Sequence, residues 1–319
     1  MHDSLGIPAC FSCERHGTDP IPAMATSSAV YRMEISGQSC LVTVTWCKDL
    51  LLHGLSIAFH GPGKPDEECA CKLELKPWHF WKRQGSKDLL VEGTKVSAVW
   101  DLRAVVFNGE TEPRSDYYVA VVCKEEVVLL VGDMKKEAYR RTGCRPALTD
   151  PVLVSRTEHS FGKSRFFARI KIHEKGKVHQ VSVMEGKSIC NMGSESHGEP
   201  EMEIAIDGVK VAHVKHLQWK FRGNEEMSIG GRRLEVYWDV HDWLFGSGPR
   251  RGLFLFRPVI GPRILSPSTV EEPRYPLLAS FLSGSALSEE EDTYRVHEDW
   301  ASGKGTSDFC LFMYAWKID

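Results

Sequence analysis

Apolar and polar residues alternate with a period of two along much of the chain. One set of apolar positions is Val96, Ala98, Trp100 and Leu102, and a second set is Leu234, Val236, Trp238 and Val240. Residues two apart on a β-strand share a face, so each set forms the apolar face of a strand. Similar short runs occur in YRMEI, CLVTVTW, LSIAF, KLEL and YYVAVV, and turn-forming segments such as ISGQ and FNGE separate them. The pattern predicts an all-β fold of the antiparallel sandwich type.

The segment DMKKEAYRR has the residue pattern of a helix. Asp133 is suited to cap its N-terminus, and Gly143 followed by Pro146 would end it. We expect this short helix to link two parts of the chain.

Two distant stretches of the sequence repeat each other. Trp81 to Phe107 aligns without a gap on Trp219 to Phe245, at a constant offset of 138 residues. The identical pairs are Trp81/Trp219, Lys82/Lys220, Gly85/Gly223, Gly93/Gly231, Trp100/Trp238, Asp101/Asp239 and Phe107/Phe245. Seven identities exceed the roughly two that average residue usage would produce. The repeat predicts two tandem, internally duplicated antiparallel β-sandwich-like domains joined by the short helix.

The repeat also predicts domain boundaries. We expect a flexible N-terminal tail at 1–29, a first sandwich at 30–145, a connection at 146–166 and a second sandwich at 167–319. Within the second sandwich, 261–307 is rich in Pro, Ser, Gly and acidic residues, which is typical of a surface or disordered insertion. The C-terminal strand DFCLFMYAWK would then pair antiparallel with LFLFRPV, as EEVVLLVG pairs with YYVAVV in the first copy.

Composition narrows the class of protein. With 319 residues and 42% hydrophobic content, the chain is long enough for two domains with cores of their own. A net charge of −3 gives no support to a nucleic-acid partner. Ten cysteines are few for this length and the N-terminus lacks an apolar signal core, which predicts reduced thiols in the cytoplasm or nucleus. The apolar runs are too short for a transmembrane segment.

The segment RRLEVYWDVHDWLFGSG concentrates candidate chemistry, but most of it is expected to be scaffold. The structural signature expected from the repeat consists of Trp81, Trp100, Asp101, Trp219, Trp238 and Asp239. Residues shared by both copies are most simply structural: the tryptophans fill cores and the aspartates accept turn or cross-strand hydrogen bonds. Asp239 and His241 would lie on the outward face of a strand as a surface charge pair.

A metal or catalytic site is the alternative for the same region. Its candidate ligands are His213, His216, Asp239, His241 and Asp242. Imidazole and carboxylate groups would suit zinc if these strands were neighbours. Because no HExxH motif or paired CxxC supports this hypothesis, we predict no metal, no cofactor and no catalytic residue.

Other candidates have weaker support. Cys10 and Cys13 with His16 form a CxxC half-site without a second half, so a flexible tail is favoured. Cys69 and Cys71 share one face of a predicted strand, where cysteines are usually small packing residues. The loop GPGKPDEEC has too few acidic residues for a calcium site of the C2 type. In SRTEHSFGK, the residues Glu158, His159 and Lys163 would either contact a partner or lock the interface between the sandwiches, and we favour the lock.

Several motifs resemble a known plant family. They are IPACFS, VTVTWCKDL, VWDL, EPRSDYYVAVV, LLVGDM, SRTEHSFGK, IDGVKV, LQWKFRGNE, EVYWDVHDWLF and MYAWK. Together they cover nearly the whole chain and resemble domain of unknown function 868. The resemblance implies a land-plant source but no activity, cofactor or substrate, so no functional residue is carried over from it.

The sequence therefore supports two functional hypotheses. The first is a non-enzymatic interaction protein that presents strand edges and loops to a protein, a lipid headgroup or a glycan. The second is a metal-dependent or hydrolytic enzyme centred on His213, Asp239, His241 and Asp242.

Overall fold

The computed structural model describes residues 25–49, 52–60, 71–75, 83–91, 93–171, 177–187, 198–248, 250–259 and 309–318. Of these residues, 68% lie in strands and 6% in helices, so the predicted β character is confirmed. The first nine strands are β1 (Ala25–Ile35), β2 (Gln38–Asp49), β3 (Leu52–His60), β4 (Cys71–Leu75), β5 (Gln84–Val91), β6 (Thr94–Asp101), β7 (Tyr118–Cys123), β8 (Glu126–Gly132) and β9 (Arg145–Pro146). The others are β10 (Val152–Gly162), β11 (Arg165–Lys171), β12 (Val178–Lys187), β13 (Pro200–Ile206), β14 (Val209–Val214), β15 (Arg222–Ile229), β16 (Arg232–Asp239), β17 (Arg251–Val259) and β18 (Cys310–Lys317). The helices are α1 (Lys135–Thr142) and α2 (His241–Phe245).

The strands form three sheets. The largest has nine strands in the order β15-β16-β17-β18-β10-β1-β2-β3-β4, while β11–β14 and β5–β9 form smaller sheets. Most neighbours are antiparallel, but β10 pairs parallel with β18, and β8 pairs parallel with β9. The prediction of purely antiparallel pairing was therefore wrong at these two places. The first arises because β10 enters the large sheet between strands from the two ends of the chain.

Two apolar cores lie on one face of the nine-stranded sheet. The first packs β1–β3 against β5–β8 and includes the fully buried Val42, Val96 and Val121. The second packs β11–β14 against β15–β18 and includes Phe166 and Phe254. Residues paired across neighbouring strands share a face of the sheet. One row of such pairs crosses β2, β1, β10 and β18 and joins the first core to the second, so both cores lie on the same face. We refer to the two parts as the first half and the second half.

Strand β10 changes the expected organisation near the middle of the chain. The predicted connection at 146–166 contains this strand of 11 residues, which joins β1 of the first half to β18 of the second half. At the other boundary, β1 already begins at Ala25, inside the segment 1–29 that was predicted to be a flexible tail. Both segments are rich in Ser, Thr and charged residues, so the apolar alternation that predicts strands is missing from them.

The predicted pairing of the C-terminal strand is confirmed. β17 and β18 are antiparallel neighbours, with Leu253 opposite Tyr314 and Leu255 opposite Phe312. β18 is buried on both faces, and since it also pairs with β10 it is a central strand rather than an edge. The predicted insertion at 261–307 lies outside the described residues.

Helix α1 forms where the sequence predicts it, although its start differs. The N-cap residue is Met134, and the Asp133 carboxylate accepts a hydrogen bond from the Tyr117 backbone N–H (3.2 Å) instead of capping the helix. Gly143 ends the helix in the left-handed conformation, and its N–H donates to the Tyr139 carbonyl, as expected for a glycine C-cap. The Asp133 side chain therefore bonds to the backbone just before β7 and does not cap the helix.

Candidate functional site

The two repeated Trp-Asp pairs lie at equivalent strand ends. Asp101 accepts a hydrogen bond from the Arg103 backbone N–H, and Asp239 accepts one from the His241 backbone N–H, both at 3.1 Å. Each carboxylate also accepts a bond from the neighbouring strand: Gln84 donates to Asp101 at 3.0 Å, and Arg222 donates to Asp239 at 2.7 Å. Each aspartate therefore makes one turn bond and one cross-strand bond. These bonds end β6 and β16 at the aspartates.

The tryptophans before these aspartates are core residues. Trp100 and Trp238 are each 5% exposed, as expected from the alternation. A Cβ on Gly85 would lie 2.9 Å from the Trp100 ring, and one on Gly223 would lie 2.5 Å from the Trp238 ring. These contacts explain why glycine occupies both positions, since a larger residue would collide with the indole.

The other two tryptophans of the predicted signature differ from this pattern. Trp81 lies outside the described residues. Trp219 is 82% exposed, so its side chain is not part of a core and the scaffold expectation does not extend to it. It lies in a turn that precedes β15, where its backbone N–H donates to the His216 carbonyl at 2.9 Å.

The prediction that Asp239 and His241 share the outward face of a strand was wrong. The chain turns at Asp239, and His241 begins the short helix α2. Trp243 of this helix is buried and donates its indole N–H to the Ala315 carbonyl (3.0 Å), which attaches α2 to β18. Asp239 pairs with Arg222, whereas His241 lies 3.1 Å from the Asp242 carboxylate with 44% of its side chain exposed. The carboxylate beside His241 is therefore that of Asp242 and not that of Asp239.

Helix α2 and the turn before β15 together expose a group of aromatic rings. The ring centroids of Phe221 and His241 are 5.4 Å apart, those of Phe221 and Phe245 are 5.7 Å apart, and those of His241 and Phe245 are 5.2 Å apart. Phe245 is 53% exposed, and Trp219 precedes Phe221 by two residues. We call Trp219, Phe221, His241 and Phe245 the aromatic end patch. The apolar alternation does not reveal this patch, because it continues past Asp239 although the strand ends there.

The candidate metal ligands do not meet at one point. His213 pairs with Glu201 at 3.0 Å, His216 pairs with Glu199, and His241 pairs with Asp242. Within the part of the chain that the structure describes, no three His, Cys, Asp or Glu side chains are arranged to hold a metal ion. Cys10, Cys13 and Cys69, as well as the side chain of Cys71, are not among the described atoms.

Comparison with protein families identifies the group to which this architecture belongs. The family described as plant protein of unknown function (DUF868) matches residues 23–317. The chain belongs to this family. No curated protein and no solved structure is similar enough to the chain to count as a match. The family description carries no activity, so a function for this DUF868 protein has to be argued from its own residues.

Strand β10 of the DUF868 protein joins the halves through charged and aromatic contacts. Glu158 accepts hydrogen bonds from Ser27 of β1 (3.0 Å) and from Arg156 (2.6 Å). On the other face, His159 stacks on Tyr314 with centroids 4.9 Å apart, and the Trp316 indole N–H donates to its Nδ1 at 3.2 Å. Glu158 thus contacts the first half and His159 contacts the second half, and their role as an interface lock stays a prediction.

The pKa of His159 is lowered to about 4. Burial disfavours the charged imidazolium, and the nearby positive charge of Arg251 adds to this effect. The imidazole is therefore neutral at pH 7 and accepts the indole hydrogen bond through Nδ1. Lys163 takes no part in this contact: it is exposed in the turn between β10 and β11.

A cavity of about 310 Å³ lies in the first half, between the β1–β2 and β7–β8 turns. Its lining includes Ser36, Cys123, Lys124 and Leu148. None of the candidate metal ligands and none of the aromatic end patch lines this cavity.

Among the described residues, no helix has both the length and the apolar character needed to cross a bilayer.

Proposed function

We propose that this DUF868 protein is a non-enzymatic binding protein that contacts its partner through the aromatic end patch. The observation that carries the proposal is the exposure of Trp219 (82%) on the turn before β15 and of Phe245 (53%) on helix α2. Phe221 links the turn to the helix through its ring contact with Phe245. Large exposed aromatic side chains are costly in water and are enriched where proteins bind partners. Trp243 holds α2 against β18, so Phe245 is presented from a rigid support.

Two copies of one β-sandwich domain, at about 30–145 and 167–319, form the scaffold in this proposal. Both Trp-Asp strand ends have the same turn hydrogen bond and the same glycine–indole contact, which supports a duplication. Strand β10 makes the two copies share one sheet. We therefore propose a single tandem unit and not two independent domains.

The partner is a protein, a lipid headgroup or a glycan in this proposal, and not a nucleic acid, because the chain has a net charge of −3. The site of action is the cytoplasm or the nucleus. Cys40, Cys47, Cys123, Cys144 and Cys310 are not joined in disulfide bonds, which fits a reducing compartment.

Proximity labelling in plant tissue tests the binding role. The full chain, fused to a labelling enzyme, is compared with a Trp219→Ala/Phe245→Ala variant. Leu148→Ala is the matched control, since Leu148 is 97% exposed in the first half. We expect the double variant to lose a group of labelled neighbours that the control keeps. Identical neighbours for all three proteins would refute the proposal.

The enzyme hypothesis remains the alternative and is tested separately. Asp239 is bonded to Arg222 and to the turn at His241, so its carboxylate is already occupied. Metal analysis of the purified chain gives the direct comparison. Stoichiometric zinc or manganese that is lost on His241→Ala would place the enzyme hypothesis ahead of the binding hypothesis.

A further inference from the structure

The nine-stranded sheet has a second face, opposite the two cores, and the character of this face changes at β10. One row of paired residues on it runs from β16 to β3: Tyr237, Leu255, Phe312, Thr157, Ser28, Thr45 and Ser56. On the first-half side the residues are small and polar, and the hydroxyls of Ser28 and Thr45 bond to each other at 2.9 Å. On the second-half side they are large and apolar. The two ends of this face therefore suit different surroundings.

The large residues of this face form a cluster that is separate from both cores. We call its main members the aromatic outer face: Tyr237, Leu253, Leu255, Phe312, Tyr314 and Trp316. None of them is more than 9% exposed, and Tyr314 and Trp316 are exposed by 0% and 2%. Side chains of this size on an open sheet surface would be accessible to water, so their burial requires a cover.

No helix or strand among the described residues supplies this cover. The described elements that pack closely on β17 or β18 are their sheet neighbours, α2 and β11. Both α2 and β11 lie on the core side, where Trp243 stacks on Phe166 with ring centroids 5.0 Å apart and also meets Phe254. Among the described residues, Phe161 is the one further hydrophobic side chain that packs against the aromatic outer face.

The segment that joins β17 to β18 begins and ends beside this face. β17 ends at Val259 and β18 begins at Cys310, and these antiparallel neighbours carry most of the aromatic outer face. Half of the roughly fifty connecting residues would reach about 80 Å if extended, whereas β18 is about 25 Å long. Of the longer segments outside the described residues, this one alone joins two strands that carry the face.

The sequence of the joining segment singles out one stretch. The segment is rich in Pro, Ser, Gly and acidic residues, but 275–282 reads YPLLASFL. Four apolar residues in it have the spacing that would place them on one side of a helix: Leu277, Leu278, Phe281 and Leu282. A short stretch with one apolar side is suited to pack on an apolar sheet face.

We infer that residues 275–282 of the same chain dock on the aromatic outer face. The low exposure of Tyr314 and Trp316 is a property of the single chain, so the cover does not require a second copy. The inference goes beyond the proposed function, because the aromatic end patch shares no residue with this face. It gives the insertion that the sequence predicts at 261–307 a packing role.

Photo-crosslinking of the full chain tests the inference directly. Phe281 is replaced by the photoreactive amino acid p-benzoylphenylalanine, and the crosslinked peptides are mapped by mass spectrometry. We expect crosslinks within one chain to 253–255 of β17 or to 312–316 of β18. The same replacement at Leu148, which is 97% exposed in the first half, is the control and should not label these strands. Crosslinks from Phe281 only to the first half, or only between two chains, would overturn the inference.

A dye that binds exposed apolar surface gives an independent measurement. Leu277→Asp/Phe281→Asp should raise the fluorescence of anilinonaphthalene sulfonate severalfold, because the aromatic outer face becomes accessible. A chain that lacks residues 288–302 is the matched control from the same segment and should not bind more dye. If the double variant does not fold, as judged by circular dichroism, the crosslinks decide.

The remaining outcomes separate this inference from its competitor and from the proposed function. Unchanged dye binding by a folded Leu277→Asp/Phe281→Asp variant would contradict the inference. A rise in dye binding only on removal of residues 2–24 would assign the cover to that segment and overturn it. Trp219→Ala/Phe245→Ala should keep the crosslinks from position 281, so a failure of the docking inference leaves the binding function in place.

Discussion

The two Trp-Asp strand ends have the same turn hydrogen bond, but they differ in whether the phenylalanine that follows is packed or exposed. In the first half, Phe107 stacks on His53 with ring centroids 3.6 Å apart and meets Trp46 edge-on at 6.1 Å. Its counterpart at the same offset, Phe245, is half exposed in the aromatic end patch. A residue that is identical in both repeats therefore serves packing in one half and is presented to solvent in the other.

The loop that follows each strand accounts for this difference. In the first half, the loop after Asp101 folds back towards the junction, where Glu110 pairs with Arg169 at 2.8 Å and Glu112 pairs with Arg156. In the second half, helix α2 leads directly into β17, and no corresponding loop covers Phe245 among the described residues. Repetition of sequence thus predicts the strand and its turn, while the loop decides whether the next aromatic residue is buried.

Removal of residues 310–319 should have the largest effect and should separate the halves. β18 pairs with both β17 and β10, so its loss opens two sheet edges and removes buried residues from the second core. We expect the second half to unfold and the protein to aggregate, as measured by soluble yield and circular dichroism. A shortened chain that lacks residues 288–302 is the comparison and should remain soluble. Normal folding without β18 would contradict the role of β18 as a central strand.

Truncation of the core tryptophans should affect both halves alike. Trp100→Ala and Trp238→Ala should each lower the free energy of unfolding by about 3–5 kcal/mol, because each leaves a cavity beneath its strand. Denaturant unfolding of the purified variants measures the change. Trp219→Ala is the matched surface substitution and should cost less than about 0.5 kcal/mol. A large loss for Trp219→Ala would mean that this side chain has a packing role.

Acid should weaken the junction with the second half through His159. The pKa of its imidazole is about 4 in the folded protein and 6.5 for the unperturbed group, so the unfolded chain binds the proton first. The stabilising contribution is complete above pH 6.5 and falls as the pH decreases towards 4, by about 3 kcal/mol in total. Urea midpoints between pH 7 and pH 4 should show this slope, and His159→Gln should flatten it. Leu148→Ala, an exposed substitution that removes no titratable group, should leave the slope in place.

Adding a methyl group at Gly85 or Gly223 should lower stability by less than the tryptophan truncations do, and by a different amount in each half. A Cβ would meet the indole at 2.5 Å in Gly223→Ala and at 2.9 Å in Gly85→Ala. We expect losses of about 1–3 kcal/mol, with the larger loss for Gly223→Ala because its contact is shorter. Thermal melting of the two variants gives the order. The reverse order would show that the second half adapts to the added atom more easily.

Much of the strand pattern was predictable because the alternation is local. Val96, Ala98 and Trp100 are buried on one face of β6, as their spacing predicts. The pairing of β17 with β18 followed from the repeat, although about fifty residues separate the two strands. The spacing of nearby residues predicts the buried face of β6. The aligned segment of the first half predicts which strand pairs with β17.

The candidate site was harder to predict because a local pattern was misleading. Val240 is buried, so it continues the alternation of Leu234, Val236 and Trp238 although the strand ends at Asp239. The turn formed by the Asp239 carboxylate then rotates the chain into α2. The exposed pair Trp219 and Phe245 had a sequence signal in the repeat itself, but the repeat does not show which copy is covered.

The sequence by itself determined the β character, the paired Trp-Asp strand ends and the order of the hairpins, because these depend on residue spacing within short segments. Tertiary structure decided the central place of β10, the parallel pairing with β18 and the exposure of the aromatic end patch. Strand partners and loop cover depend on which distant segments meet. Such contacts are stabilised by apolar surface that is buried only when separate elements pack together. The sequence of a single segment does not show which surface that will be.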